Sequence, residues 1–186
     1  GAQYVQDTNL MGTLNCLDLV ARDKADLLFL STSRVYPIGA INAMCTEREH
    51  RFDIDPHLAP AGAGPNGIAE EFPLAGPRTL YGATKLASEL MIEEYAAMHG
   101  FRYVVNRCGV IAGPWQMGKT DLGFILLWLS RHHWRKPLGY IGFGGAGKQV
   151  RDVLHVDDLC DLVQIQLRDV DRVNGRVLNA GGGAGN

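Results

Sequence analysis

Short unbroken apolar runs alternate along this chain with longer amphipathic segments, and that alternation admits few architectures. Leu27-Leu28-Phe29-Leu30 follows Asp26 without a polar interruption, as in a strand buried on both faces. Residues 101–105 repeat the pattern, and residues 176–179 read as a last strand. Between them helical spacing recurs. Leu10, Leu14, Leu17 and Val20 predict a helix over about residues 6–21. Ala83, Leu86, Ala87, Leu90, Met91 and Tyr95 predict another over residues 81–99, closed by Gly100. Asp121 is placed to N-cap a helix reaching about Trp134, and Asp157-Asp158 to open one reaching about Leu167. Residues 137–141 read as a strand, 142–147 as a glycine-rich loop and 150–154 as a short extended piece. Strands alternating with helices of ten or more residues build βαβ units, so the expected class is α/β with a mainly parallel sheet.

Composition removes several classes of partner. The net charge of −2 offers no basic surface to nucleic acid or to an anionic membrane. The longest apolar run, residues 124–129, falls far short of the roughly 18 residues that span a bilayer. Cys16, Cys45, Cys108 and Cys160 are scattered, with no CxxC pair and no metal-ligand spacing to histidine, and read as reduced thiols of a cytoplasmic protein. No metal site is expected. Cys45 lies in a polar loop, where an ordinary thiol is favoured over a nucleophile. Residues 36–79 are rich in Pro, Gly and Ala and show no period. Loops this long are uncommon, and a substrate-covering lid is favoured over a passive insertion.

The residues that carry chemistry are Tyr81-Gly-Ala-Thr-Lys85 and the hydroxyl cluster Ser31-Thr32-Ser33. Tyrosine and lysine four apart on a helix share one face. A lysine cation beside a phenol favours the phenolate, which can then take a proton from an alcohol. A hydroxyl side chain delivered by the end of a strand can hold the same alcohol, at the edge where open α/β sheets bind ligands. This is equipment for oxidising a secondary alcohol by hydride transfer.

Four motifs in order resemble the extended short-chain dehydrogenase/reductase superfamily, in its NAD-dependent epimerase/dehydratase family. Asn9-Leu-Met-Gly12-Thr13-Leu-Asn15 looks like the family's Asn-x-x-Gly-Thr-x-Asn helix. Ser31-Thr32-Ser33-Arg34-Val35-Tyr36 is similar to its Ser-Ser/Thr-x-x-Val-Tyr segment. Tyr81 and Lys85 match the Tyr-x-x-x-Lys pair, and Arg151-Asp152-Val-Leu-His155-Val-Asp157-Asp158 resembles Arg-Asp-x-x-His-Val-x-Asp. The resemblance implies a Rossmann-like parallel sheet with helices on both faces, NAD as cofactor and a nucleotide sugar as substrate. It makes Tyr81, Lys85 and Thr32 catalytic. Tyr81, Lys85, Asn9, Ser31 and Arg107 fall to the cofactor, and Ser33, Gln116, Arg151 and Tyr140 to the substrate, with Arg151 on its diphosphate. It also implies a homodimer through a four-helix interface of the Asn9 and Tyr81 helices.

Gly113-Pro-Trp-Gln116-Met-Gly-Lys-Thr-Asp121-Leu-Gly123, Trp128 and Gly147-Lys148-Gln149-Val150-Arg151-Asp152 are similar to the CDP-paratose (CDP-tyvelose) 2-epimerase branch. Val110 stands where 4-epimerases usually carry an asparagine. Ser33-Arg34 stands where dehydratases commonly carry Asp-Glu. The expected function is therefore NAD-dependent epimerisation, C2 of a CDP-sugar being favoured. A 4-epimerase, a 4,6-dehydratase or a reductase is the runner-up, and a non-catalytic NAD-binding subunit the option from another class.

The family's Gly-x-x-Gly-x-x-Gly loop, which lays a pyrophosphate on a helix N-terminus, is not in this sequence. The chain thus reads as an internal piece, with three strands expected upstream of Gly1, and on its own is expected to bind NAD poorly and turn over nothing. Residues 1–110 are assigned to the second half of the NAD-binding domain, with 36–79 its long loop. Residues 111–186 are assigned mainly to the substrate-binding region, with segment 150–180 returning to the core. Tyr140 and Phe143 border a nucleobase or pack in the core, with equal claim. His155 is expected to pack or hydrogen-bond beneath the site, Glu70-Glu71 to form a solvated pair, and His132-His133 to lie exposed.

Overall fold

A computed structural model describes residues 1–119 and 123–183. Two of the apolar runs become neighbouring strands, β1 (Leu27–Thr32) and β2 (Tyr103–Cys108), and a third strand joins them as the last element, so we number the labelled elements along the chain. These are α1 (Gly12–Asp23), β1, α2 (Leu80–His99), β2, β3 (Val110–Ala112), α3 (Phe124–His133), β4 (Val153–His155), α4 (Val156–Arg168) and β5 (Arg176–Ala180). The main sheet is parallel, in the order β1-β2-β5. Its register sets Thr32 beside Cys108 and Cys108 beside Ala180, so three strand ends share one edge. A parallel pair, β3 and β4, continues beyond it.

Alternation along the strands divides the side chains between two faces. Leu27, Phe29 and Tyr103 pack with Leu17 and Val20 of α1 and Ile92 and Ala96 of α2. On the other face Cys108 and Ala180 pack with Leu154 and with Leu159 of α4. The Asn106 amide faces α4 as well, fully buried, and exchanges two hydrogen bonds (2.7 and 2.9 Å) with buried Gln166. The expected Rossmann-like layering, helices on both faces of a parallel sheet, is what forms.

Several expectations need correction. The first helix is longer than residues 6–21 and is not α-helical throughout: Ala2–Val5, the π-helical turn Gln6–Met11 and α1 follow one another. β2 runs on to Cys108, well past residue 105. Residues 137–141 form no strand. Asp121 lies outside the described residues; α3 begins at Phe124, behind Gly123 in a left-handed conformation (φ 69°). α4 is capped by His155, whose Nδ1 accepts the Asp157 N–H at 3.2 Å, while Asp157 and Asp158 occupy its first turn. Residues 36–79 carry short strands of their own, Cys45–Glu47 with Phe52–Ile54 and Ala63–Gly64 with Gly67–Ile68. They close over a buried cluster of Val35, Tyr36, Met44 and Phe72.

The amide pair gives a direct test of the β2–α4 contact. Gln166→Leu strands the buried Asn106 amide and is expected to cost about 1–3 kcal/mol in urea unfolding. A loss below about 0.5 kcal/mol would show that the pair does not hold α4.

Candidate functional site

Thr32 is the last residue of β1, and the chain turns there through a 3₁₀ turn, Ser33–Val35. Thr32 Oγ1 caps that turn by accepting the Arg34 N–H at 3.2 Å. The first turn of α2 docks on the same segment. Gly82 makes this possible: a Cβ there would overlap the Arg34 carbonyl oxygen. Thr79 caps α2, its Oγ1 accepting the Gly82 N–H at 3.1 Å. Tyr81 is thus placed next to the Thr32 turn, 40% exposed, at the open edge of the sheet.

Lys85 lies one turn further along α2. Its Nζ sits 4.0 Å from the centroid of the Phe29 ring, a cation–π contact. Burial pushes its pKa down from the ordinary lysine value, and the Cys108 and Glu89 side chains oppose that shift. The elements bearing Thr32, Tyr81 and Lys85 therefore converge, though no hydrogen bond among the three is present in the described residues.

Two residues expected on the cofactor are turned inward. The Ser31 hydroxyl, nearly buried, donates to Glu89 Oε1 in a short contact. Arg107 donates to both Glu89 oxygens, from Nε at 3.1 Å and from Nη2 at 2.8 Å to Oε2, and from Nε at 3.3 Å to Oε1. Its Nη1 donates to the Tyr36 hydroxyl at 3.2 Å. The chain of contacts continues: the Tyr36 hydroxyl donates to Asn179 Oδ1 at 2.7 Å, and the Asn179 N–H donates to Glu70 Oε1 at 2.6 Å. Glu70 is thus a structural acceptor and not half of a solvated pair, whereas Glu71 is exposed. Asn9, in the π-helical turn, donates from Nδ2 to Thr84 Oγ1 at 3.3 Å, and its carbonyl accepts the Thr13 hydroxyl at 2.6 Å. It faces α2 at the residue before Lys85.

The expected substrate residues spread over a wider surface. Ser33 is exposed beside Thr32. Gln116 Nε2 donates to the Ile111 carbonyl at 2.8 Å. Tyr140 stacks on Trp128 at 5.2 Å, and Gly147 (φ 72°) lies so close beneath its ring that a Cβ would come within 2.7 Å. Phe143 reaches Phe52 at 5.9 Å, which ties the glycine-rich loop to the 36–79 segment, as does Lys148 Nζ on Glu47 at 2.7 Å. Arg151 donates from Nη1 to the Val150 carbonyl at 2.7 Å. Burial, and then the Arg34 guanidinium, lower its pKa. One cation beside another is a setting that an anionic ligand relieves. Asp152 anchors the edge, its carbonyl accepting the Val110 N–H and its Oδ1 the Gly182 N–H, both at 2.7 Å.

Burial, and then the Asp53 carboxylate, raise the Cys45 pKa, which disfavours the thiolate that a nucleophile needs. Among the described residues no three His, Cys, Asp or Glu side chains gather as metal ligands, and no helix is long and apolar enough to cross a membrane.

The helix that bears Tyr81 and Lys85 is thus docked at the C-terminal edge of a parallel sheet, where open α/β sheets bind ligands. The chain matches the NAD dependent epimerase/dehydratase family over residues 1–181 and belongs to it. It is 30% identical over 185 residues to the CDP-paratose 2-epimerase of Salmonella typhi, covering 95% of this chain and 51% of that protein. Among solved structures, Pal from Bacillus thuringiensis is similar with a TM-score of 0.75 at 26% identity, over 97% of this chain and 49% of that one. The dTDP-glucose 4,6-dehydratase of Bacillus anthracis, solved in complex with NAD, gives 0.69 at 28% identity, over 95% and 47%. The chain spans about half the length of these relatives.

Gly82→Val tests the docking. Separating α2 from the Arg34 carbonyl is expected to cost about 1–3 kcal/mol of stability, read as a lower urea midpoint. A wild-type midpoint would mean that the two turns do not depend on this close approach.

Proposed function

We propose that the intact protein is an NAD-dependent nucleotide-sugar epimerase that inverts C2 of a CDP-linked sugar. The observation that carries the reading is the seating of the Tyr81 turn of α2 on the Thr32–Arg34 turn, with Lys85 one turn behind. Identity to a CDP-paratose 2-epimerase along nearly the whole chain supports the choice of sugar and carbon. Val110, and Ser33-Arg34 in the positions where dehydratases carry acids, support it against the 4-epimerase and dehydratase readings.

The residues present fit the nicotinamide-ribose end of the cofactor: an exposed phenol and a lysine whose ammonium meets an aromatic ring stand at the sheet edge. Bound there, NAD supplies the hydride acceptor and donor. Tyr81, as phenolate, takes the proton of the ring hydroxyl and later returns it. Thr32 Oγ1 already accepts the Arg34 N–H, so its own O–H donates to the reacting oxygen. Lys85 holds the ribose and sustains the phenolate. Arg151 anchors the diphosphate, so that the oxidised sugar can present its other face while the nucleotide stays fixed. Ser33, Gln116 and Tyr140 are proposed around the sugar and base.

A homodimer through the Asn9 and Tyr81 helices forms part of the same proposal. It is supported by the exposed Met11, Leu90 and Met91 on those helices. Sedimentation of the intact protein at twice its monomer mass is expected, and a monomer at micromolar concentration would remove the interface.

The activity is tested by proton NMR of the intact protein with CDP-paratose. A change in the H1–H2 and H2–H3 couplings is expected. Tyr81→Phe should slow that change by about 10²–10⁴-fold while leaving nucleotide-sugar affinity near wild type. Full turnover by Tyr81→Phe would sink the assignment, and inversion at C4 of a UDP-sugar alone would move it to the 4-epimerase reading.

A further inference from the structure

Glu89 has no part in the chemistry above, yet its carboxylate is buried where β1, β2 and α2 meet. It lies one turn beyond Lys85 on the same face of α2. The partners on β1 are spaced to match: Lys85 Nζ covers the Phe29 ring, and Glu89 accepts from Ser31 two residues on. Arg107 stands in register with Ser31 on β2 and grips both carboxylate oxygens. Glu89 and Arg107 are each only 6% exposed. Apolar residues of similar size often fill such a place with equal or greater stability, which directs attention to what the charge does for its neighbours.

We propose that Glu89 is the positioning residue of the Tyr81–Lys85 pair, its clamped carboxylate fixing the Lys85 turn of α2 against β1 and standing as counter-charge to the half-buried ammonium. This rests on the reading of Tyr81 and Lys85 as the reacting pair. The ammonium of Lys85 lies over Phe29 of β1; one turn along its own helix stand Glu89 and its partner Arg107 of β2, and Cys108 acts on it from the other face of the sheet. Burial favours the neutral amine; Cys108 and Glu89 oppose it. Burial also raises the Cys108 pKa, so near neutral pH Cys108 is an uncharged thiol. Glu89 is then the working counter-charge. Ser31 and Arg107, in place of touching the cofactor, serve by saturating Glu89.

The test is a titration of Lys85 itself. In the intact protein the lysines are reductively methylated with ¹³C, the Lys85 signal is assigned with Lys85→Arg, and its midpoint is followed by NMR. Glu89→Gln is expected to lower that midpoint by about one pH unit. Glu89→Asp, which keeps the charge on a shorter arm, should recover at least half of the shift. An unchanged midpoint in folded Glu89→Gln would overturn the proposal. Should the unpaired Arg107 prevent that variant from folding, Glu89→Gln with Arg107→Met is compared with Arg107→Met alone, so that only the carboxylate differs, and a midpoint no lower in the double variant than in the single one overturns the proposal equally. No sugar enters the titration, so an error in the substrate leaves it intact. The reacting-pair reading fails separately, through an active Tyr81→Phe.

Discussion

A buried ion pair, Glu89 with Arg107, is the contact on which the rest of the site depends. A carboxylate or guanidinium withdrawn from water is costly unless its hydrogen-bonding groups are met, and here they are met by four parts of the chain. Glu89 comes from α2, Arg107 from β2, Ser31 from β1, and Tyr36 from the start of the 36–79 segment. From Tyr36 the bonds pass to Asn179 on β5, which also donates to the Ile68 carbonyl at 2.9 Å. Apolar packing tolerates sliding, because one methyl contact replaces another. Directional bonds to charged groups do not, so this network sets both the register of α2 on the sheet and the seat of the long segment over it.

Close approach completes what the network begins. Gly82 lets a helix turn lie on the Arg34 carbonyl, and at Gly109 an added Cβ would come within 2.7 Å of the Asp152 carbonyl oxygen. The two contacts flank the edge where Thr32 and Cys108 end their strands. They bring the hydroxyl turn, the tyrosine helix and the Arg151-Asp152 segment to one place. Tyr81 takes no part in placing its helix, which Thr79, Gly82 and Glu89 hold.

The legible parts of the sequence were those governed by local pattern. Unbroken leucines announced β1, the spacing of Leu86, Leu90 and Tyr95 announced α2, and Gly100 (φ 75°) ends α2 as a left-handed glycine should. β2 was read short because Asn106 and Arg107 look like loop residues. Their partners, Gln166 and Glu89, lie 60 and 18 residues away, and no local period reveals them. The 36–79 segment looked featureless for the same reason. Its order comes from Tyr36, Phe72 and the Asn179 contacts, which are tertiary. Residues 137–141 had the composition of a strand and no neighbouring strand to pair with. Ser31 and Arg107 sit in recognisable motifs, while the residue that binds them, Glu89, looks in the sequence like any polar position on an amphipathic helix.

The difference follows from where charge is placed in this fold. Tyr81, Ser33 and Arg151, which the sequence motifs mark, stand at the surface. The groups that keep them in place work best where the dielectric is low and water does not compete, one turn of helix deeper. Glu89 occupies that depth, and Phe29 supplies an aromatic face for Lys85 just above the apolar cluster of α1 and α2. The exposed edge and the stabilising core are thus joined through a single helical face, on which Tyr81, Lys85 and Glu89 follow at intervals of four. A change at the buried end of that face must be felt at the exposed end, because the bonds that fix Glu89 also set the position of the turn that carries the phenol.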